Sequence, residues 1–281
     1  GPYHLMDQTF RLALGETMAF GFVGPFLVAS WRLSRGDRRW APWILGACAA
    51  GLLVTHVLTL FMCVAVGGGL ALVALGLPLP AGPTRARRSA LFAGTMACTL
   101  LATAGFWLPV AAEVQHTAVN SISKPGAPIS GFAARADEPV RRRLWPRYDV
   151  RHPIGEVDDP GKGMPMYFGV GLLALLGLAL LRPGRVGAPD PRPFALAAAI
   201  ALLLALHPFA RLLDGLPLLG RIMFPWRLYA PATVLAALAG GLALDRYAER
   251  PGLRRAAMLV AAAAILAWDV SPYLGAGQRF D

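Results

Sequence analysis

Long apolar runs alternate with short arginine clusters along the whole chain. A membrane-crossing helix needs about 20 apolar residues, each rising about 1.5 Å, and on that rule the runs divide into eight spans. Leu12–Trp31 is the first. Residues 41–79 are too many for one span and suit two, with the natural turn at His56 in the run Val54-Thr55-His56-Val57. Ser89–Leu108 is the fourth, Pro165–Leu181 the fifth, and Phe194–Pro208 a short sixth. Trp226–Leu244 and Ala256–Leu274 complete the set. The pattern predicts an all-α, polytopic integral membrane protein with about eight transmembrane helices. They form one transmembrane domain over residues 1–281, with one long extracytoplasmic loop, residues 109–164.

Charge orients this threading. The clusters are Arg32/Arg35/Arg38/Arg39, Arg85/Arg87/Arg88, Arg182/Arg185/Arg192 and Arg246/Arg250/Arg254/Arg255, and all four fall on one side of the bilayer. Short cytoplasmic segments collect Lys and Arg, so that side is predicted to be cytoplasmic, with both ends of the chain outside. The outer segments hold only Arg11, Arg211, Arg221, Arg227 and Arg279 besides the long loop, whose 8 Lys/Arg stand against 7 Asp/Glu. Long loops escape the rule. Trp31, Trp40 and Trp43 fall at the inner interface, and Trp107, Trp226 and Trp268 near the outer one, as aromatic belts require.

Composition agrees. The chain is 56% hydrophobic and 15% charged, more apolar surface than a water-soluble domain of this length hides. The net charge of +11 invites a nucleic-acid reading, which the arrangement excludes: the arginines flank apolar spans instead of forming one basic stripe. Cys48, Cys63 and Cys98 lie inside apolar runs and read as small core residues, not metal ligands. No Walker-type, zinc-protease, nucleophile-elbow or CxxC motif occurs. Gly67-Gly68-Gly69 reads as a close crossing or a flexible point, and the four-residue spacing of Ala232, Ala236 and Gly240 as a packing face. With no signal peptide or initiator Met before the first span, the chain is expected to be a fragment of a longer one.

Ionisable groups in or beside spans are the functional candidates. Glu16 lies in the first span, five residues after Arg11, and reads either as an acid facing an outer cavity or as a structural partner of Arg11. His56 either contacts a phosphate or sugar hydroxyl or caps the turn it marks. Glu113 and His116, three residues apart, share a helix face beyond Phe106-Trp107-Leu108-Pro109 and suit acid–base work or a solvated helix end. Arg227, in Arg221-Ile222-Met223-Phe224-Pro225-Trp226-Arg227, lies at a helix N-terminus, where backbone N–H groups also favour anions. With Arg221 it suits a lipid phosphate; the alternative is an interfacial anchor on ordinary headgroups. Residues 211–220 suit a short helix lying in the interface. Asp158-Asp159 gives too few ligands for more than a marginal divalent-metal site, so no metal ligand and no certain cofactor is assigned.

Several of these segments share a resemblance. Pro2-Tyr3-His4-Leu5-Met6-Asp7 with Arg11-Leu12-Ala13-Leu14-Gly15-Glu16, then Thr55-His56-Val57-Leu58-Thr59, then Gly105-Phe106-Trp107-Leu108-Pro109 with Glu113, then Phe224-Pro225-Trp226-Arg227-Leu228, stand in order along the chain. Together they resemble bacterial polytopic membrane proteins of the 6-pyruvoyl-tetrahydropterin synthase-related membrane domain type, which are similar to the GT-C membrane glycosyltransferases. Val57 stands where the family has Asn, and Gln8-Thr9-Phe10 also departs from its pattern. Nothing in the residues speaks for pterin chemistry. The resemblance implies a GT-C-like unit of the bacterial inner membrane that moves a sugar from a polyprenyl-phosphate carrier at the outer face. Arg227 and Arg221 would neutralise the carrier phosphate, Glu16 and Glu113 would be the carboxylates of the acceptor cavity, and Arg11, His56 and His116 would add binding contacts. The family's catalytic carboxylate commonly sits in the first outer loop, so a chain that begins inside or after that loop would have it upstream of Gly1. The alternative is a non-catalytic transporter or assembly partner for envelope polysaccharide, which broken spans would favour. The sugar, the acceptor and the oligomeric state are not legible.

Overall fold

The structure, a computed structural model, describes residues 14–76, 84–113, 168–181, 190–214 and 225–248, with scattered positions between 252 and 267. These residues are helical: α1 (Leu14–Arg35), α2 (Ala41–Gly76), α3 (Arg85–Ala102), α4 (Ala104–Glu113), α5 (Val170–Leu181), α6 (Arg192–Leu204), α7 (His207–Asp214), a 3₁₀ turn (Pro225–Leu228) and α8 (Tyr229–Ala248). The all-α expectation therefore holds. Among them one helix, residues 41–74, passes as long and apolar enough to cross a membrane.

That helix is two arms. His56 leaves the helical region at φ −160°, ψ 90°, the extended backbone of an N-cap. Its Nδ1 accepts the Thr59 N–H at 3.3 Å, and the Thr59 hydroxyl lies 2.8 Å away. Thr59 is the third residue of the new helix, so a side chain satisfies one of the N–H groups that every helix start leaves open. The contacts show that the chain reverses here. Gly15 of α1 sits against the Thr55 carbonyl, Gly51 against the Phe22 ring, and Gly67 against Phe26 and Ser30. Residues 40–44 meet residues 25–32. Residues 41–44 and Gly67 thus lie at one level of α1, although a straight helix would separate Ile44 from Gly67 by about 34 Å. The turn lies where the sequence puts it.

The other elements follow the same direction rules. α1 ends in a Schellman turn: Gly36 N–H bonds to Leu33 O and Asp37 N–H to Arg32 O, both at 3.0 Å, with Gly36 at φ +107°. Buried Arg88, in the first turn of α3, donates from Nη1 to Ser34 O and lies 3.4 Å from where a Gly36 side chain would stand. The start of α3 is therefore fastened to the end of α1. Trp31 meets Phe194 at the start of α6, ring centroids 4.8 Å apart. Phe168, before α5, meets Tyr229 at the start of α8 at 5.7 Å, and Leu175 packs on Gly240 further along both helices. The end of α1 and the starts of α2, α3 and α6 consequently share one pole, which holds Arg32, Arg35, Arg38, Arg39, Arg85, Arg87, Arg88 and Arg192. The start of α1, the His56 turn, the end of α6 and the start of α8 form the opposite pole.

Packing is dense between small residues. Ala232, Ala236 and Ala239 of α8 are fully buried, and Gly240 admits no side chain beside Leu175, so the small-residue face is a packing face. Six hydroxyls, those of Ser30, Ser34, Thr55, Thr95, Thr99 and Thr103, each donate to the carbonyl four residues earlier. Ser and Thr within helices bond back to the preceding turn in this way. Large apolar side chains face outward on several helices: Leu72 is 73% exposed, Leu101 75% and Leu181 81%.

The structure departs from the expected spans in three places. The fourth breaks at Thr103, between α3 and α4, where the Leu100 carbonyl is taken by Trp107 Nε1 at 2.8 Å. α5 and α6 are 12 and 13 residues long, shorter than the apolar runs that contain them. The second arm of α2 is unbroken through Gly67-Gly68-Gly69; Gly67 is a close crossing, and the run is no hinge.

Two predictions test this packing. His56→Ala removes the cap and should cost about 0.5–2 kcal/mol, while His56→Asn should retain most of the stability; thermal unfolding of the purified variants reads the difference. Gly51→Ala would place its methyl 2.6 Å from the Phe22 ring. Overpacking of this kind costs about 1–3 kcal/mol, and adding Phe22→Ala should recover part of it.

Candidate functional site

The pole opposite the arginine clusters carries the candidate site. The 3₁₀ turn Pro225–Leu228 runs directly into α8, so its residues sit at a helix start, where open N–H groups and the helix dipole favour anions. Arg227 on this turn is buried, at 7% exposure. An interfacial anchor extends its guanidinium out to headgroups; this side chain turns inward. Arginine does not deprotonate, so a permanent positive charge is held inside this pole. Next to it, Tyr229 is fully buried and edge-on to Phe168 at 75°. One turn further, Thr233 Oγ1 is buried and makes no hydrogen bond.

Leu228, the residue after Arg227, lines a cavity of about 340 Å³ between the second arm of α2 and α6. Its walls run from Met62 to Val73 on one side and from Pro193 to Leu204 on the other. Eleven helical residues rise about 16 Å, so the cavity is a groove along the helices. Every lining residue is apolar. Leu196 and Ile200 are half exposed on its rim, which leaves the groove open along its outer side. A groove of this kind accepts a hydrocarbon chain, and Arg227 lies beside one end of it through Leu228.

The other sequence candidates divide. Arg11, His116, Arg221 and the Asp158-Asp159 pair lie outside the described residues, as does the loop beyond Glu113. For Glu16 and Glu113 the structure describes the helical backbone alone. Glu16 is in the first turn of α1, and Gly15 beside it touches the Thr55 carbonyl, which brings Glu16 and His56 to the same pole as Arg227. His56 is half-buried, and its Nδ1 is committed to the cap. Since the Thr59 N–H points at that nitrogen, the ring proton belongs on Nε2, and any contact with a ligand falls to Nε2. Among the described residues no group of three His, Cys, Asp or Glu side chains gathers that could hold a metal ion.

Sequence reading missed the groove. Its walls are ordinary Ala, Leu, Ile and Val in two apolar runs about 130 residues apart, and only their packing creates it. It also missed the separate standing of Arg88. Three arginines in one cluster look alike in sequence, but Arg88 alone is buried while Arg85 and Arg87 are exposed.

No family model matches the chain, and neither a curated protein nor a solved structure matches it.

Proposed function

We propose that the chain is a polytopic protein of a bacterial inner membrane, with its arginine pole cytoplasmic, and that its outer pole binds a polyprenyl-phosphate-linked sugar as a GT-C-like glycosyltransferase unit. The observation that carries this reading is the buried Arg227 beside the end of an apolar groove: one charge for a phosphate, one slot for a hydrocarbon chain. Supporting it are the arginines gathered at the opposite pole, the apolar side chains turned outward on several helices, and the hydroxyls that satisfy themselves within their helices. α7 adds an interfacial element, since Phe209 and Leu212 are exposed on the same short helix as exposed Arg211.

In the proposed transfer, an acceptor oxygen attacks the anomeric carbon of the sugar. The bond from that carbon to the carrier phosphate oxygen breaks, and the bonding pair leaves with the phosphate. Arg227 opposes the charge that develops there, with Arg221 as the second cation of the segment. A carboxylate takes the acceptor proton, the role assigned to Glu16 or Glu113. The Thr233 hydroxyl, buried and without a hydrogen bond, is available for a sugar or phosphate oxygen, and His56 keeps the binding role its place in the sequence suggests. The alternative, a non-catalytic transporter, draws nothing from Gly67-Gly68-Gly69, where the helix is continuous, and rests instead on the break of the fourth span at Thr103.

Binding of a radiolabelled polyprenyl phosphate to the purified protein tests the site. Arg227→Leu should weaken binding at least about 10-fold, the scale of losing one charge-assisted contact, and Arg227→Lys should restore part of it. Ala197→Trp, which fills the groove without touching a charge, should weaken binding of a long-chain carrier but not of a short water-soluble analogue. Unchanged binding by a folded Arg227→Leu protein would refute the site.

A further inference from the structure

A second niche stands at the arginine pole, at the opposite end of the bundle from Arg227. A niche of about 140 Å³ opens between α1 and the start of α2. Pro25, Val28 and Ile44 form its apolar walls, and Arg32 and Trp40 stand at its edge. Val28 and Pro25 lie four and seven residues before Arg32, about 6 and 10 Å nearer the middle of the helix. The niche is thus an apolar slot beneath a cationic rim.

The rim is charged and partly prearranged. Arg32, Arg35, Arg38 and Arg39 face one acid, Asp37, in this stretch. Asp37 Oδ2 holds Arg32 at 2.8 Å, and the Arg32 side chain is still 58% exposed. Asp37 Oδ1 accepts the Arg39 N–H at 3.1 Å and fixes the turn. The Arg39 guanidinium lies 5.5 Å from the centre of the Trp40 ring, a cation–π distance. Trp40 is 57% exposed and Trp43 75%. Exposed tryptophans beside exposed arginines are the side chains that sit at headgroup depth.

We propose that this niche binds one anionic diacyl phospholipid of the cytoplasmic leaflet, its phosphate on Arg32 and Arg39 and a segment of one acyl chain in the slot between Val28 and Ile44. Charge selects the occupant: with Arg32 paired to Asp37, Arg38 and Arg39 still add two positive charges to the rim, which a zwitterionic headgroup does not balance and a net-negative one does. The proposal rests on the reading that this pole meets a bilayer. It is independent of the carrier site, because the niche and the groove share no lining residue.

The test is lipid-dependent stabilisation of the purified protein. Bound lipid raises the melting temperature in proportion to its affinity and concentration. Phosphatidylglycerol should stabilise the wild type, and phosphatidylcholine should not. The double variant Arg32→Gln/Arg39→Gln should need at least about 10-fold more phosphatidylglycerol for the same shift, the scale of losing one or two charge-assisted contacts. Val28→Trp fills the slot, keeps every charge, and should give the same loss. Polyprenyl-phosphate binding should be unchanged in both. Equal stabilisation by the two lipids, or variants that respond like the wild type, would overturn the proposal. Displacement of the lipid by free inorganic phosphate would also overturn it, in favour of a simple anion site. Release of the wild-type protein from membranes by an alkaline wash would instead sink the bilayer reading beneath it, a result distinct from loss of lipid selectivity.

Discussion

Reversing a helix in apolar surroundings requires partners for the backbone groups the turn exposes, and the architecture depends on how His56 meets that demand. One residue leaves helical geometry, and its ring nitrogen accepts the N–H three residues on. No loop is needed. The two arms of α2 therefore both lie along α1, one antiparallel and one parallel, and the three helices share Phe26, Leu27, Leu52, Met62 and Leu70 as a common core. With the second arm so placed, its outer face meets α6 and leaves the apolar groove between them. The apolar groove is thus a consequence of a capping interaction some distance from it.

The bundle is polar along its axis. One end carries exposed arginines, a Schellman turn and the buried Arg88 that fastens α3 to α1. The other carries the His56 turn, the start of α8, the exposed Arg211 and the buried Arg227. The same residue type does different work at the two ends. At the first, Arg32, Arg38, Arg39, Arg85 and Arg87 are exposed. At the second, Arg227 is buried at a helix start, which suits one phosphate held in a fixed place.

Much of this was legible in the sequence, for identifiable reasons. The His56 turn was readable because an apolar run too long for one crossing holds one imidazole near its middle. The gathering of arginines at one pole was readable because cluster spacing follows helix length. Arg227 was readable as a helix-start arginine, but its burial was not, since the same segment equally describes an anchor in the interface. The groove left no trace in the sequence: it is made by the mutual position of two runs, each of which reads as ordinary apolar helix. The break at Thr103 was hidden for a related reason, because Thr103 sits in an apolar context and its hydroxyl bonds within the helix it ends.

In the proposed topology the arginine pole and the Arg227 pole lie on opposite sides of a membrane. Cysteine accessibility tests it most directly. In a background with Cys48, Cys63 and Cys98 replaced by Ala, single cysteines at Ala86 and His207, both exposed and at opposite poles, would be labelled with a membrane-impermeant maleimide in intact spheroplasts. The account predicts that His207→Cys labels at once and Ala86→Cys only after the membrane is permeabilised. Equal labelling of both before permeabilisation would contradict it.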